Sequence, residues 1–273
     1  TRRKQAEPPP SHNSFPMVHA FNTQGDKTPL IFIHTANAGS EAYVPLAAKL
    51  PPDQPFYAVE PHNIFSGEGV IRGIPQLAKR YIKYIRRVQP KGPYSLGGWS
   101  FGAAVAYEIA VQLEKAGERV EWLFLLDPLI EHSPEEQELT KKLIGTSFFH
   151  GYLNNDPLFA RFKKLGLVDK LLSNSKAVFE DMFAFKPRPY GGNVILFKAT
   201  RPDPPAKDID PAMARALLSF QRAHIAQKDN GFKKYVRRLQ VIPIFSRHDF
   251  LMRGNALEII ARVIAQKGKR RAR

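Results

Sequence analysis

The sequence predicts an α/β fold in which helices flank a mostly parallel β-sheet. Short apolar runs alternate with stretches of helical periodicity along most of the 273 residues. Alternation of this kind predicts parallel strands joined by helices that cover both faces of the sheet. A chain of this length is near the upper size of one domain, so these elements can share one large core.

Composition excludes several classes of protein. No apolar run is long enough to span a membrane, and the first residues lack the apolar segment of a signal peptide. The absence of cysteine excludes disulfides, thiolate metal sites and a cysteine nucleophile, and we expect a cytoplasmic protein without a bound metal. The net charge is +16, but no zinc-ligand spacing or basic-aromatic repeat accompanies it, so we expect no nucleic-acid partner.

The predicted elements follow from local periodicity. Apolar, β-rich runs predict strands at residues 29–34, 56–60, 93–98, 119–127, 193–200 and 239–245. Apolar residues at helical spacing predict helices at 41–50, 76–88, 101–117, 211–225 and 255–266. The helix at 76–88 is amphipathic, and its polar face carries Lys79, Arg80, Lys83, Arg86 and Arg87. We expect this basic face either to be ordinary solvated surface or to attract an acidic partner.

The alternation is interrupted between residues 128 and 190. This segment keeps a helical period and is rich in phenylalanine and tyrosine, which predicts a helical lid inserted over the sheet. The aromatic residues that we expect to line a substrate pocket are Phe148, Phe149, Tyr152, Phe159 and Phe183. The alternative is a lid core that packs only on itself.

The two ends of the chain differ from the remainder in composition. Residues 1–14 are polar and rich in proline, as is typical of a linker, and residues 267–273 form a basic tail. We therefore place one domain at 15–266. Since the chain does not start with methionine, we expect it to be a segment of a longer protein.

A G-x-S-x-G sequence occupies residues 98–102, where a predicted strand gives way to a helix. This context is typical of a nucleophile elbow, in which a strained turn lifts the serine above the sheet. Side chains at Gly98 or Gly102 would collide with the neighbouring chain. Ser100 is therefore a candidate nucleophile, and the start of the following helix can stabilise an oxyanion.

A serine nucleophile needs a base and an acid that orients the base. Of the histidines after Ser100, His132 and His150 lie in the insertion and His224 lies within a helical pattern. His248 lies in the loop after the last predicted strand and is the better candidate for the base. Two aspartates follow strands and remain candidates for the acid, and these are Asp127 and Asp203.

The chain resembles type I thioesterase domains, the chain-releasing modules of fatty acid, polyketide and nonribosomal peptide synthases. Similar segments occur in the same order: PLIFIHTANAGSEAYVPLAAKL, PFYAVE, VQPKGPYSLGGWSFGAAVAYEIAVQLEKAGE, WLFLLD and HDFLM. The resemblance implies an α/β-hydrolase fold and covers residues 30–265. Arg247 and Ala103 depart from the family pattern, which often has aspartate and glycine at these positions.

The resemblance also implies roles for individual residues. It assigns the nucleophile to Ser100, the acid to Asp127 and the base to His248. The oxyanion donors would be the backbone amides of Phe101 and of either Ala36 or Asn37, and the insertion would be the family's lid.

The activity implied by the resemblance is acyl transfer from a thioester. The acyl or peptidyl chain would arrive on the phosphopantetheine arm of a carrier domain, in the same polypeptide, and no other cofactor is implied. Water or a nucleophile within the chain would then release the acyl group from Ser100. Two alternatives are a free-standing serine esterase acting on small oxoesters and an inactive hydrolase scaffold that binds a partner.

Overall fold

The computed structural model describes residues 16–144, 159–204 and 209–268, and these form a seven-stranded sheet with the order β1-β3-β2-β4-β5-β6-β7. The strands are β1 (Val18–Asn22), β2 (Leu30–Ile33), β3 (Phe56–Val59), β4 (Tyr94–Trp99), β5 (Val120–Leu126), β6 (Tyr190–Ala199) and β7 (Val236–Ile244). All neighbouring strands pair in parallel except β1, which runs antiparallel to β3. The predicted mostly parallel α/β sheet is confirmed.

Helices connect the strands and cover both faces of the sheet. They are α1 (Val44–Ala47), α2 (His62–Phe65), α3 (Ile74–Val88), α4 (Phe101–Lys115), α5 (Pro134–Ile144), α6 (Ala160–Lys164), α7 (Val168–Ala184), α8 (Pro211–Ala226) and α9 (Gly254–Lys267). Short 3₁₀ turns lie at Ser40–Tyr43, Phe232–Lys234 and His248–Phe250.

Two differences from the predicted elements have local causes. The helix expected at 41–50 is a 3₁₀ turn followed by the single turn of α1, since Pro45 at the start of α1 has no N–H to continue a preceding helix. The edge strand β1 was not predicted, because its residues are only partly buried and its sequence VHAFN lacks a continuous apolar run. Lys267, placed in the basic tail, ends α9.

The core consists of two apolar layers, one on each face of the sheet. One layer packs α3 and α4 on the sheet and includes the buried side chains of Tyr81 and Tyr107. The other packs α9 and the loop before α1 on the opposite face and includes Tyr43 and Phe197. The central strands are therefore buried on both faces, which explains their continuous apolar sequences.

The insertion lies between β5 and β6 and contributes α5, α6 and α7. A small cluster of buried side chains, which includes Phe65, Phe159 and Phe162, joins it to α2. Arg161 of α6 also forms ion pairs with Glu41 at 2.9 Å and with the buried Glu60 at 2.8 Å. These contacts fix one end of the insertion to the loops that follow β2 and β3.

Among the described residues, no helix combines the length and the apolar character needed to span a bilayer.

Candidate active site

The serine at the end of β4 occupies a strained turn. Ser100 has φ 57° and ψ −121°, in the region that side chains rarely adopt, and α4 begins at the next residue. A Cβ on Gly98 would lie 2.3 Å from the carbonyl carbon of Gly102. A Cβ on Gly102 would lie 2.3 Å from the carbonyl oxygens of Ile33 and His34. Both glycines are therefore required by close backbone approach.

The turn places Ser100 at the carboxyl edge of the sheet. Its backbone N–H donates to the carbonyl oxygen of Leu126 on β5 at 2.9 Å, so the turn is tied to the neighbouring strand. The first turn of α4 directs free N–H groups toward this edge, where a negative oxygen would be stabilised. The amide of Phe101, the first residue of α4, is the predicted oxyanion donor in this turn.

His248 reaches the same edge from the 3₁₀ turn that follows β7. Its Nδ1 lies 2.8 Å from Oδ2 of Asp127, and its ring lies beside the indole of Trp99 with centroids 5.9 Å apart. With Nδ1–H donating to the carboxylate, Nε2 carries the lone pair of the neutral ring. That arrangement suits a general base.

Asp127 lies at the end of β5 and is buried. Its Oδ1 accepts hydrogen bonds from the backbone N–H of Ala199 at 3.2 Å and from Nδ2 of Asn230 at 3.0 Å, which leaves Oδ2 for His248. Burial opposes ionisation of Asp127, but the hydrogen bonds from His248 and Asn230, with the positive charge of Lys198, lower its pKa. The carboxylate is therefore ionised at neutral pH.

The charge of Asp127 acts on His248 in return. Burial of His248 opposes its protonation, but the hydrogen bond to Asp127 and the charge of that carboxylate raise the pKa of His248 above its usual value of 6.5. Asp249 and Asp203 add smaller effects in the same direction. The imidazolium that forms when a base accepts a proton is thus stabilised by its surroundings.

The second acid candidate, Asp203, lies in the same cavity but makes different contacts. Its nearest cation is Arg247, whose Nε lies 4.0 Å from Oδ1. Burial and the neighbouring carboxylate of Asp249 raise the pKa of Asp203 to about 6. Among the described residues, the acid that accepts a hydrogen bond from Nδ1 of His248 is Asp127.

The loop after β2 forms another wall of the site. Its first residue, His34, is fixed by hydrogen bonds of 2.7 Å to the Thr35 carbonyl oxygen and the Tyr81 hydroxyl, and burial lowers the pKa of this histidine to about 4. The loop continues through Ala36 and Asn37, which border the cavity beside Ser100. An uncharged His34 and its two hydrogen bonds therefore hold the predicted oxyanion loop in place.

The cavity at this edge has a volume of about 360 Å³. Ser100, Asp127 and His248 all line it, so the structure brings the three predicted residues together. Aromatic side chains of the insertion form its apolar wall, among them Phe159, Phe179 and Phe183. Phe148, Phe149 and Tyr152, also predicted to bind substrate, lie outside the described residues, as does His150.

A cluster of two histidines and a glutamate also lines the cavity. Oε1 of Glu136 lies 3.2 Å from Nδ1 of His132 and 2.9 Å from Nε2 of His224. Burial opposes ionisation of Glu136, but these two hydrogen bonds lower its pKa to about 2. The sequence did not indicate this cluster, because His132 and Glu136 lie at the start of the insertion and His224 lies on α8, far away in the chain.

The same three side chains offer ligand atoms within 4.8 Å of one another, which is the spacing of a possible cation site. Nε2 of His132 is buried and has no hydrogen-bond partner among the described residues. If a metal were bound through Nδ1 of His132, the proton of the neutral ring would have to be on Nε2. This buried N–H would then have no hydrogen-bond acceptor among the described residues. The cluster thus fits a hydrogen-bonded link between the insertion and α8 better than it fits a metal centre.

Two further polar residues near Asp127 were missed by sequence reasoning. Asn230 is 1% exposed and Lys198 is 4% exposed, and both line the cavity. Lysine in the apolar run NVILFKAT was a possible signal, since a charged residue in a buried strand needs a partner. Nothing local in the sequence links it to Asn230.

The family model described as "Thioesterase domain" matches residues 28–185, which is more than half of the chain. The dimodular nonribosomal peptide synthase of Bacillus subtilis (strain 168) is 28% identical over 282 residues, covering 94% of this chain and 11% of that protein. Malpinin synthetase of Mortierella alpina is 28% identical over 259 residues, covering 93% of this chain and 3% of that protein. The chain thus spans a small part of these relatives.

Solved structures with the same fold include thioesterase domains. The NocB thioesterase domain from the nocardicin cluster aligns with a TM-score of 0.61 and 25% identity over 92% of this chain and 98% of that one. A four-domain nonribosomal peptide synthetase bound to AMP and glycine aligns with a TM-score of 0.67 over 94% of this chain and 20% of that one. The identity in the second alignment is 19%, so it supports the fold alone.

Proposed function

The chain belongs to the thioesterase domain family, and on that premise we propose that it releases an acyl or peptidyl chain from a phosphopantetheine thioester through an ester on Ser100. The observation that carries this proposal is the convergence of Ser100, His248 and Asp127 on one cavity, with His248 and Asp127 hydrogen-bonded at 2.8 Å. In this proposal Ser100 is the nucleophile, His248 is the base and Asp127 is the acid that orients the base, which are the three roles that serine acyl transfer requires.

In the first half of the reaction, Oγ of Ser100 attacks the carbonyl carbon of the thioester. The hydroxyl proton passes to Nε2 of His248, and Asp127 stabilises the resulting imidazolium. The carbonyl oxygen, now negative, accepts hydrogen bonds from the amide of Phe101 and from an amide at Ala36 or Asn37. Collapse of this intermediate breaks the carbon–sulfur bond, and the thiolate takes the proton from His248.

In the second half, a nucleophile attacks the ester on Ser100. Water gives a free acid, and a hydroxyl or amine within the acyl chain gives a ring. His248 removes the proton of the incoming nucleophile and returns it to Oγ of Ser100, so the enzyme is regenerated. The chemistry requires no group other than the residues of the site and the phosphopantetheine that carries the substrate.

The acyl chain lies against the aromatic wall of the insertion in this proposal. Phe159, Phe179 and Phe183 face the same cavity as Ser100, together with Met182 and Leu129. A wall of this composition favours an extended apolar or aromatic acyl group, because burial of apolar surface is the main favourable contribution to the free energy of binding.

We place the carrier domain at the cavity mouth, where basic side chains remain exposed. Arg201 and Arg253 line the cavity and lie over the rings of Phe245 and Phe250, each at 5.0 Å. Within the part of the chain that the structure describes, neither arginine forms an ion pair with an acidic side chain. Free guanidinium groups at this position suit the phosphodiester at the base of the phosphopantetheine arm.

The basic face of α3 is a poorer position for the carrier. Arg80 pairs with Glu68, and Arg86 pairs with Glu118, two residues before the start of β5. The carboxyl end of α3 leads into the start of β4, so it lies at the edge of the sheet opposite Ser100. Reversing the charge of Arg201 and Arg253 should therefore slow turnover of carrier-bound substrate, while reversing Arg80 and Arg87 should not. Turnover of a free acyl-pantetheine, which lacks the phosphodiester, should fall less than turnover of carrier-bound substrate in the first double variant and should be unchanged in the second.

A labelling experiment tests the proposed function against its alternatives. A fluorophosphonate probe should modify the wild-type protein once, at Ser100, and should not modify Ser100→Ala. The wild type should hydrolyse an acyl-pantetheine thioester with a higher kcat/KM than the matching oxoester, and Ser100→Ala should retain less than about one thousandth of this activity. Preference for the oxoester would favour the free-standing esterase, and absence of labelling would favour the inactive scaffold.

A further inference from the structure

A chain of hydrogen bonds lies behind the carboxylate of Asp127, on the side away from His248. Nδ2 of Asn230 donates to Oδ1 of Asp127 and to the carbonyl oxygen of Pro128, each at 3.0 Å. Oδ1 of Asn230 accepts a hydrogen bond from Nζ of Lys198. Nζ of Lys198 also donates to the carbonyl oxygen of His224 at 2.9 Å. Every polar atom of the Asn230 amide is thus used.

The chemistry of the partners permits only one orientation of this amide. Both neighbours of Nδ2 are oxygen acceptors, while the ammonium of Lys198 can only donate. Rotation of the amide by half a turn would set its carbonyl oxygen against the carboxylate of Asp127 and its NH₂ against the ammonium. The two acceptors beside Nδ2 and the ammonium of Lys198 beside Oδ1 therefore favour the same orientation, and Lys198 adds a charge that opposes the reversed one.

The backbone at Asn230 is consistent with a specific role for its side chain. The residue has φ 49°, in the left-handed region that asparagine tolerates better than most residues other than glycine. It is followed by Gly231 with φ 81°, so two successive left-handed residues turn the amide toward β5. Glycine would satisfy the backbone equally well but could not donate to Asp127.

We propose that Asn230 is a positioning residue for Asp127 and that Lys198 acts on the site by fixing the orientation of Asn230. The two hydrogen bonds on Oδ1 hold the carboxylate so that Oδ2 alone faces the imidazole of His248. This inference rests on the proposed function, since it takes Asp127 as the acid that orients the base. Lys198 itself is buried on β6, and its role explains why an apolar strand carries a lysine.

Two substitutions of Asn230 separate the side chain from the backbone. Asn230→Gly keeps the left-handed turn and removes the donor, while Asn230→Asp keeps the size and replaces the donor with an acceptor. Each should lower kcat on an acyl-pantetheine thioester by about 10- to 100-fold, because a hydrogen bond to a charged group is lost. The KM should change much less than kcat, since Asn230 borders the cavity beside Asp127 and not at the aromatic wall proposed to bind the acyl chain.

Lys198→Met tests the second half of the inference in a double-mutant cycle. If Lys198 acts through Asn230, the single variant Lys198→Met should have a lower kcat than the wild type. In the Asn230→Gly background, the same substitution should add less than about a twofold loss. Losses that multiply would show that Lys198 acts independently and would overturn this part. Two control variants should keep wild-type kcat. Lys234→Met removes an exposed lysine from the segment that contains Asn230, and Asn193→Ala removes an asparagine hydrogen bond at the other end of β6.

A direct signature comes from the proton between His248 and Asp127. In the wild type, proton NMR should show the Nδ1–H of His248 far downfield, and Asn230→Gly should move or broaden this resonance while the thermal unfolding curve still shows a folded protein. Asp127→Asn is measured in parallel. If Asp127→Asn abolishes turnover while both Asn230 variants keep wild-type kcat, the inference is wrong and the proposed function stands. If Asp127→Asn is active, Asp127 is not the acid and this inference is wrong, whereas the proposed function fails only if Ser100→Ala keeps its activity.

Discussion

Nδ1 of His248 lies 2.8 Å from Oδ2 of Asp127, although 121 residues separate the two in the chain. The contact joins the loop after β7 to the end of β5, with β6 between these strands in the sheet. The backbone N–H of Ala199, the last residue of β6, donates to the other oxygen of the same carboxylate. Three strands thus converge on one acid.

This contact distinguishes the two aspartates that were candidates for the acid. Asp127→Asn should lower kcat by about 10³- to 10⁴-fold, because the neutral amide cannot hold the imidazole in the required tautomer. Asp203→Asn should change kcat by less than about tenfold, since Asp203 affects His248 only through its charge. Steady-state kinetics on one acyl-pantetheine thioester compare the two. A larger loss in Asp203→Asn would reassign the acid.

The raised pKa of His248 predicts opposite effects of pH on activity and stability. The base must be neutral, so kcat/KM should rise with pH through the folded pKa, with a midpoint above 6.5. Protonated His248 stabilises the fold, and this contribution is complete below the unfolded pKa and is lost as the pH rises through the folded value. In Asp127→Asn, the pKa of His248 measured by NMR should fall, because the hydrogen bond and the negative charge are both removed. An unchanged pKa would contradict this electrostatic account.

The aromatic wall predicts a dependence on acyl length. Each methylene buried against the wall should raise kcat/KM by about fourfold at most, until the cavity is filled. Phe183→Ala should weaken this dependence, because its side chain lines the cavity. Phe245→Ala is the matched control, since Phe245 is 83% exposed and does not line the cavity. A flat profile for wild-type protein across acyl lengths would show that the wall does not bind the acyl group.

The close contacts at the elbow predict a stability effect. Gly102→Ala should lower the free energy of unfolding by about 1–3 kcal/mol or more, because the new Cβ meets the backbone oxygens of Ile33 and His34. Gly67→Ala is a control for the loss of a glycine, since a Cβ there meets no atom of the described residues within 4 Å, although its left-handed backbone adds some strain. Urea denaturation compares the two variants. Gly102→Ala with the same midpoint as Gly67→Ala would contradict the packing that the structure shows.

Part of the site could be predicted because its signals are local. The elbow is defined by five consecutive residues and by the change from strand to helix around Ser100, and both depend on neighbours in the chain. His248 was recognisable by its place in the loop after the last strand. The helical insertion was recognisable by the loss of alternation after Asp127, although its aromatic residues at 148–152 lie outside the described residues.

The sequence by itself determined the alternation of strands and helices, the elbow and the order of its candidate partners, because turn chemistry and apolar periodicity act over a few residues. The tertiary structure decided that His248 bonds Asp127 rather than Asp203, and that Asn230 and Lys198 stand behind that carboxylate. Both aspartates follow strands and look alike in the sequence. Which aspartate contacts the imidazole depends on the order of the strands and on how Ala199 and His248 reach Asp127 from 72 and 121 positions away in the chain. A hydrogen bond depends on distances of a fraction of an ångström, and local sequence patterns do not specify such distances.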